Sequence, residues 1–121
     1  MRLGPVAWMV SALSIAVIAA SASAISAAPM KFWNLTTNTI TELSLAAPGS
    51  NKWGPNQCLN DSDKSVDADE RLVLKDVEPG TYDVRLKDKT GRLCVVKNVE
   101  VKSGSAYAFS IEEADLKGCK K

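Results

Sequence analysis

The stretch Thr81 to Lys87, TYDVRLK, alternates apolar and polar residues and decides the fold class. Apolar residues occupy its even positions and polar residues occupy its odd positions, so the two kinds face opposite sides of an extended chain. A period of two residues is typical of a β-strand that has one buried face. This stretch therefore predicts a half-buried strand.

The chain on both sides of this strand is also rich in β patterns. Downstream, Asp88 to Gly91 predicts a hairpin loop, because glycine tolerates the positive φ that such loops need. Arg92 to Lys102 predicts a long strand with a bulge near Lys97, where the alternation changes phase. Short strands are also predicted at Arg71 to Lys75 and from Tyr107 to Ile111.

Two further β-rich runs, Lys31 to Thr36 and Thr39 to Leu45, precede these strands. They predict a hairpin, with a bulge where Leu43 falls out of phase with Ile40. Six or seven short strands without a convincing amphipathic helix predict one all-β domain. We expect an antiparallel β-sandwich of immunoglobulin-like or similar Greek-key type.

The first 24 residues predict an export signal. Arg2 supplies a basic start, an apolar run follows from Leu3 to Ala20, and an Ala-x-Ala exit ends at Ala24. Cleavage is expected after Ala24, with Ala28 as the alternative. The run approaches the length of a membrane span, but its glycine, proline and serines weaken that interpretation. We expect a periplasmic or secreted domain, residues 25–121, that is not attached to a membrane after cleavage.

The charge of the predicted mature protein is balanced. Removing Arg2 with the signal leaves 14 basic and 14 acidic residues. Nucleic acid binding usually needs a basic footprint, so it is not expected here. We expect a monomer whose partner is an unidentified protein or small molecule.

The predicted mature part holds three cysteines, Cys58, Cys94 and Cys119. An oxidising compartment allows one disulfide among them and leaves one thiol over. A Cys58–Cys94 disulfide is the preferred prediction, because it would tether a long loop to a strand. A Cys94–Cys119 disulfide is a close alternative.

The loop from Asp61 to Glu70 is the strongest candidate for a metal site. Oxygen-bearing side chains at every second residue can converge on a hard cation, and calcium is the cation that this spacing favours. The loop departs from the EF-hand pattern at two positions, because Val66 stands where that pattern has glycine and Leu72 stands where it has glutamate. These two departures count against an EF-hand. The alternative is a solvated loop whose side chains cap their own turns. The candidate ligands are Asp61, Asp63, Ser65, Asp67 and Asp69, and we expect no other cofactor.

Trp53 begins the long acidic loop predicted for residues 53–71, which contains these candidate ligands. Its indole either plugs one end of the core, which is the preferred interpretation, or contacts a ligand. The chain contains no histidine, which removes the usual general base and the ordinary catalytic triads. We therefore expect a non-enzymatic binding or interaction module. A calcium-binding β module is the alternative, and a hydrolase that uses paired carboxylates comes last.

The chain carries, in order, the motifs N-x-T-x-x-x-I-x-x-L, W-G-P-N-Q-C, N-D-x-D, D-E-R-L, P-G-x-Y-D-V-R, G-R-x-C and V-K-N-V-E-V. This ordered set resembles a family of small exported proteins of Gram-negative soil bacteria, to which no activity is assigned. The resemblance implies an exported compartment and one domain, but no chemistry. Some relatives carry an argininosuccinate lyase label, which does not suit a short, β-rich chain without histidine. Their loop tends to read D-K-D-G, and Ser65 replaces that glycine here.

Overall fold

The structure is a computed structural model that describes Gly4 and residues 29–121. The predicted export signal, residues 1–24, lies outside the described residues apart from Gly4, and so do both predicted cleavage sites. Within the described part of the chain, no helix is long and apolar enough to cross a membrane.

The described residues form six strands and two short 3₁₀ helices, η1 and η2. In chain order they are β1 Lys31–Leu35, β2 Ile40–Ala46, η1 Gln57–Asn60, β3 Arg71–Val73, β4 Gly80–Asp88, β5 Leu93–Val101, β6 Phe109–Glu112 and η2 Glu113–Asp115.

The strands form two three-stranded sheets that pack as a small β-sandwich, which confirms the predicted fold class. The β1 sheet has the order β3-β1-β6, and the β4 sheet has the order β2-β4-β5. The strand predicted from Thr81 to Lys87 lies at the centre of the β4 sheet. All pairs are antiparallel except β1–β6, in which Phe32 pairs with Phe109 in parallel.

The predicted hairpin between the first two strands is wrong, because β1 and β2 belong to different sheets. The fully buried side chain of Asn34 fixes the crossing between them. Its amide nitrogen donates to the carbonyls of Asn38 and Val66, both at 2.9 Å. Its amide oxygen accepts from the backbone N–H of Thr36 at 3.0 Å and from the Thr36 hydroxyl at 2.7 Å. The alternating pattern identified the strands but did not specify their partners.

Both predicted bulges are confirmed. The register of β2 against β4 shifts between Ile40 and Glu42. The register of β4 against β5 shifts between Tyr82 and Val84, and Asn98 on β5 has a φ of 56°. Each phase change in the sequence therefore marks an extra residue in one strand.

The core lies between the two sheets. The rings of Phe32 and Phe109 meet there with centroids 5.0 Å apart. Burying a large apolar side chain contributes about 1.5–3 kcal/mol, so this shared core is the main stabilising element of the small domain. Its largest buried members are Phe32, Ile40, Leu43, Leu86, Ile111, Val66, Val84 and Val101.

The predicted Cys58–Cys94 disulfide is wrong, because Cys94 is bonded to Cys119. Leu93 and Lys120 exchange both backbone hydrogen bonds, which places the two cysteines next to them directly opposite each other. Such a non-hydrogen-bonded pair brings the Cα atoms close, and here they are 4.3 Å apart. Cys58 is a buried free thiol in η1.

Candidate functional site

The two sides of the sandwich are built differently. On the closed side, residues 54–66 lie between the edge strands β2 and β3. On the open side, residues 102–108 connect the edge strands β5 and β6. The difference concerns the backbone N–H and C=O groups at each strand edge. These groups can pair with another chain unless other parts of the protein cover them.

Asn56 covers the edge of β2 on the closed side. Its side-chain oxygen accepts from the backbone N–H of Leu43 at 3.0 Å, and its side-chain nitrogen donates to the carbonyl of Thr41 at 3.3 Å. The amide therefore occupies the place of a strand partner. The same oxygen accepts from the N–H of Cys58 and so caps η1.

The backbone around Asn56 continues this cover along β2. The N–H of Gly54 donates to the carbonyl of Leu45 at 2.9 Å, and Val66 exchanges both hydrogen bonds with Ile40. A Cβ atom at Gly54 would lie 3.3 Å from that Leu45 oxygen, which is a tight contact. The close approach therefore favours glycine at this position.

Gln57 and Asn60 cover β3 and the chain that follows it in the same way. The side-chain oxygen of Gln57 accepts from the N–H of Lys75 at 3.0 Å, and its nitrogen donates to the Lys75 carbonyl at 3.1 Å. Asn60 donates to the carbonyl of Val73 at 3.0 Å. Three amide side chains around one 3₁₀ turn thus close this side of the sandwich.

The open side has a different edge. Leu93, at the start of β5, is paired with Lys120. Alternate residues of a strand direct their backbone groups to the same side, so the N–H and C=O of Val95 also point away from β4. Val95 is 38% exposed. The bulge at Asn98 interrupts the edge further along.

A cavity of about 440 Å³ lies on the open side. The end of β5, the connecting loop and the start of β6 line it. The N–H of Lys102 donates to the carbonyl of Ala108 at 3.0 Å and holds the ends of the loop together. The lining residues are Val99, Glu100, Lys102, Ser105, Tyr107, Ala108, Phe109 and Ser110.

Tyr107 connects this cavity to a row of side chains around Trp33. The Tyr107 ring meets the Trp33 ring edge-on, with centroids 5.2 Å apart, and the guanidinium of Arg71 lies 4.2 Å from the Trp33 ring centroid. The indole N–H donates to the Asp69 carboxylate at 3.1 Å. Trp33 is therefore held by contacts within the chain, while Tyr107 reaches the cavity.

Trp53 does not occupy the end of the core as predicted. It is half-buried, and the guanidinium of Arg85 lies 4.8 Å from its ring centroid, on the outer face of the β4 sheet. A second cavity, of about 230 Å³, has Arg85 and Gly54 in its lining. A ligand contact by Trp53 stays a prediction.

The acidic loop does not direct its predicted ligands to one point. The carboxylate of Asp67 accepts from the Thr39 hydroxyl at 2.9 Å, whereas that of Asp69 accepts from Trp33. Asp63 is exposed and Ser65 is partly buried. Among the described residues, no group of three or more Asp, Glu, Cys or His side chains could hold a metal ion. Calcium binding stays a prediction.

The acidic loop does perturb two titratable groups. Burial, followed by the charges of Asp61 and Glu42, raises the pKa of the Cys58 thiol to about 12. Burial and the nearby Asp61 carboxylate raise the pKa of Glu70, although a hydrogen bond with the Asp67 backbone acts to lower it. One side-chain oxygen of Asp61 is buried without a hydrogen-bond partner. Because the pKa of the Cys58 thiol lies far above neutral pH, Cys58 is a poor nucleophile there.

A carboxylate hydrolase would need two acids of different pKa facing one cleft. Hydrogen bonds lower the pKa of Asp83, whose partners are the N–H groups of Gly49 and Asn98. Neither Glu70 nor Asp83 is among the residues that line the two cavities. The hydrolase hypothesis stays a prediction.

Comparisons of the chain with protein-family models, with curated proteins and with solved structures found no match. The function is therefore argued from the site alone. The Cys94–Cys119 disulfide indicates an oxidising environment.

The residues that distinguish the two sides were not among the predicted site residues. Asn56, Gln57 and Asn60 act through amide groups in a short turn, and Tyr107 was predicted only as a strand residue. The density of amides in NQCLN, directly after a Trp-Gly-Pro turn, is the one signal that pointed to this role.

Proposed function

We propose that this protein is an exported, non-enzymatic binding module that takes up an extended polypeptide segment by strand addition on its open side. The contrast between the two sides carries this proposal. Amide side chains satisfy the edges of β2 and β3, whereas the backbone groups of Val95 point away from β4 on the strand whose other end lines the 440 Å³ cavity.

Strand addition uses two kinds of contact. Main-chain hydrogen bonds to an exposed edge supply affinity, and pockets for alternate side chains supply specificity. The N–H and C=O of Val95 offer the first kind, and the cavity beside Tyr107 offers the second. The bulge at Asn98 separates them, so the bound segment would pair over a short distance and then direct a side chain inward.

The available chemistry supports binding rather than catalysis. The chain has no histidine. The free thiol of Cys58 is buried and has a pKa raised to about 12. The disulfide supports the proposed periplasmic or secreted location.

A random 12-residue peptide library displayed on phage tests this function. We expect selected peptides to shift the backbone amide signals of Val95 and Tyr107 in NMR spectra. Val95→Pro should weaken the best peptide at least tenfold, because it removes an edge N–H that points away from β4. Val95→Thr keeps that N–H and is the matched control.

Three results would oppose the proposal. Selected peptides that shift the signals of Asn56 and Gln57 instead would place binding on the closed side. Equal affinity for the proline and threonine variants would remove the role of the edge. A library that yields no binder at all would also count against strand addition.

A further inference from the structure

The C-terminal segment, residues 117–121, reaches the edge of β5 only through Cys119 and Lys120. Two backbone hydrogen bonds between Leu93 and Lys120, at 2.6 and 2.8 Å, hold it there together with the Cys94–Cys119 disulfide. Lys117, Gly118, Lys120 and Lys121 are all exposed, and Cys119 is the one residue of the segment that packs against the core. The disulfide is its main attachment.

The two ends of the disulfide differ in access. Cys94 is fully buried in the core of the sandwich. Cys119 is partly exposed and follows Gly118, whose φ of +69° turns the chain back onto the edge. An attacking thiolate from solvent therefore reaches the sulfur of Cys119 first.

We infer that the Cys94–Cys119 disulfide is a redox latch that holds the C-terminal segment over the start of the β5 edge, and that a dithiol reductant opens it. One thiolate of the reductant attacks Sγ of Cys119, forms a mixed disulfide and displaces the Cys94 thiolate, which takes up a proton. The second thiol then attacks the mixed disulfide and releases the Cys119 thiol. Two electrons pass to the protein, and the reductant leaves as its own disulfide.

The opening stays local because the neighbouring elements have other attachments. Cys94 and Leu93 pair with Leu86 and Lys87 of β4 on the opposite side of the strand. Just before the segment, η2 is fixed by an ion pair between Arg92 and Glu113 at 2.7 Å. The chain is therefore free to move only after η2.

Opening the latch would free the N–H and C=O of Leu93. The part of the β5 edge that is available for pairing would then begin at Leu93, two residues before Val95. The effect on a bound polypeptide rests on the proposed function. The latch itself does not, because the movement takes place in the protein alone.

Hydrogen exchange of the folded protein, without any peptide, tests the latch. We compare the oxidised protein, the protein in excess dithiothreitol, and the Cys119→Ser variant. The amide of Leu93 should exchange at least 100-fold faster in the last two, while β4 amides such as that of Leu86 keep their protection. Iodoacetamide should then label Cys119 of the reduced protein well before Cys94 or Cys58.

Two outcomes would overturn the latch. If the Leu93 amide remains protected after reduction, the two backbone hydrogen bonds hold the segment by themselves. If β4 amides lose protection together with Leu93, the disulfide supports the whole domain. A failed peptide selection would leave these readouts unchanged, so the two proposals can fail separately.

Discussion

Asn56 stands beside Leu43 in the place of a strand partner, with its side-chain oxygen 3.0 Å from the Leu43 nitrogen. Its side-chain nitrogen donates to the Thr41 carbonyl, two residues away on the same edge of β2. One amide thus satisfies a donor and an acceptor that would otherwise be open to another chain. Amide side chains, together with the backbone of Gly54 and Val66, cover this side of the sandwich in place of a further strand.

Replacing Asn56 with alanine should therefore destabilise the domain. It leaves partly buried backbone groups without partners, which costs about 1–3 kcal/mol. For a domain of this size, each kcal/mol corresponds to a fall in Tm of roughly 4–8 °C. Thermal and urea unfolding measure the change.

Asn56→Asp is the matched control for this substitution. Aspartate keeps the oxygen that accepts from Leu43 and Cys58 but loses the donor to Thr41, so its Tm should lie between those of the other two proteins. An alanine variant as stable as the original would show that water replaces the amide at no cost.

The sequence predicted the strands better than their partners. The alternation in TYDVRLK identified β4, and the phase changes at Ile40 and Asn98 identified both bulges, because these features are local. The pairing of β1 with β6 was not predictable in this way. It joins residues more than 70 positions apart, and no local pattern specifies such a contact.

The candidate site was harder to predict for the same reason. An amide side chain can replace a strand partner only at a strand that forms an edge, and the edges are known only from the sheet order. The disulfide likewise depends on the pairing of Leu93 with Lys120. The acidic loop looked like a ligand set, but Thr39 and Trp33, which are distant in sequence, engage two of its carboxylates.

Asp83 should make the stability of the domain depend on acid pH. Its carboxylate accepts from the N–H of Gly49 at 2.9 Å and from that of Asn98 at 3.1 Å, and these bonds lower its pKa. A lowered pKa in the folded state means that the stabilisation is present above the unfolded value of about 3.9. It is lost as the pH falls through the folded value.

Thermal unfolding of the original protein and of Asp83→Asn between pH 7 and pH 2 tests this dependence. We expect a lower Tm for the variant at pH 7, and we expect the two curves to converge in acid, where Asp83 is protonated. Asp88 and Glu113 also have lowered pKa values, so the variant should keep part of the slope. Parallel curves would contradict the role of Asp83.

Glu70 should act in the opposite direction. Burial and the Asp61 carboxylate raise its pKa, so its ionised form is disfavoured in the folded state. Glu70→Gln should therefore raise the Tm at pH 7, by roughly 1–3 °C for a group that solvent partly screens. The gain should disappear below the unfolded pKa of about 4.3, where both proteins carry a neutral side chain. A lower Tm at pH 7 would show that the Glu70 carboxylate has a stabilising partner.

Calcium provides the test of the acidic loop. Among the described residues no three acidic side chains converge, so the five predicted ligands could meet at one ion only if the loop rearranged. We therefore expect millimolar calcium to change neither the Tm nor the tryptophan fluorescence. Calorimetry on the same samples should show no heat of binding.

Asp69→Asn and Thr39→Val make this test specific. The first removes one charge but keeps an acceptor for the Trp33 indole, and the second removes the hydrogen bond to the Asp67 carboxylate, so they separate the contributions of the two side chains. Binding to the native state raises apparent stability, so a bound ion would be seen as an increase in Tm. If calcium raises the Tm of the original protein and also changes its tryptophan fluorescence, the loop rearranges around the ion and calcium binding is the function of this segment.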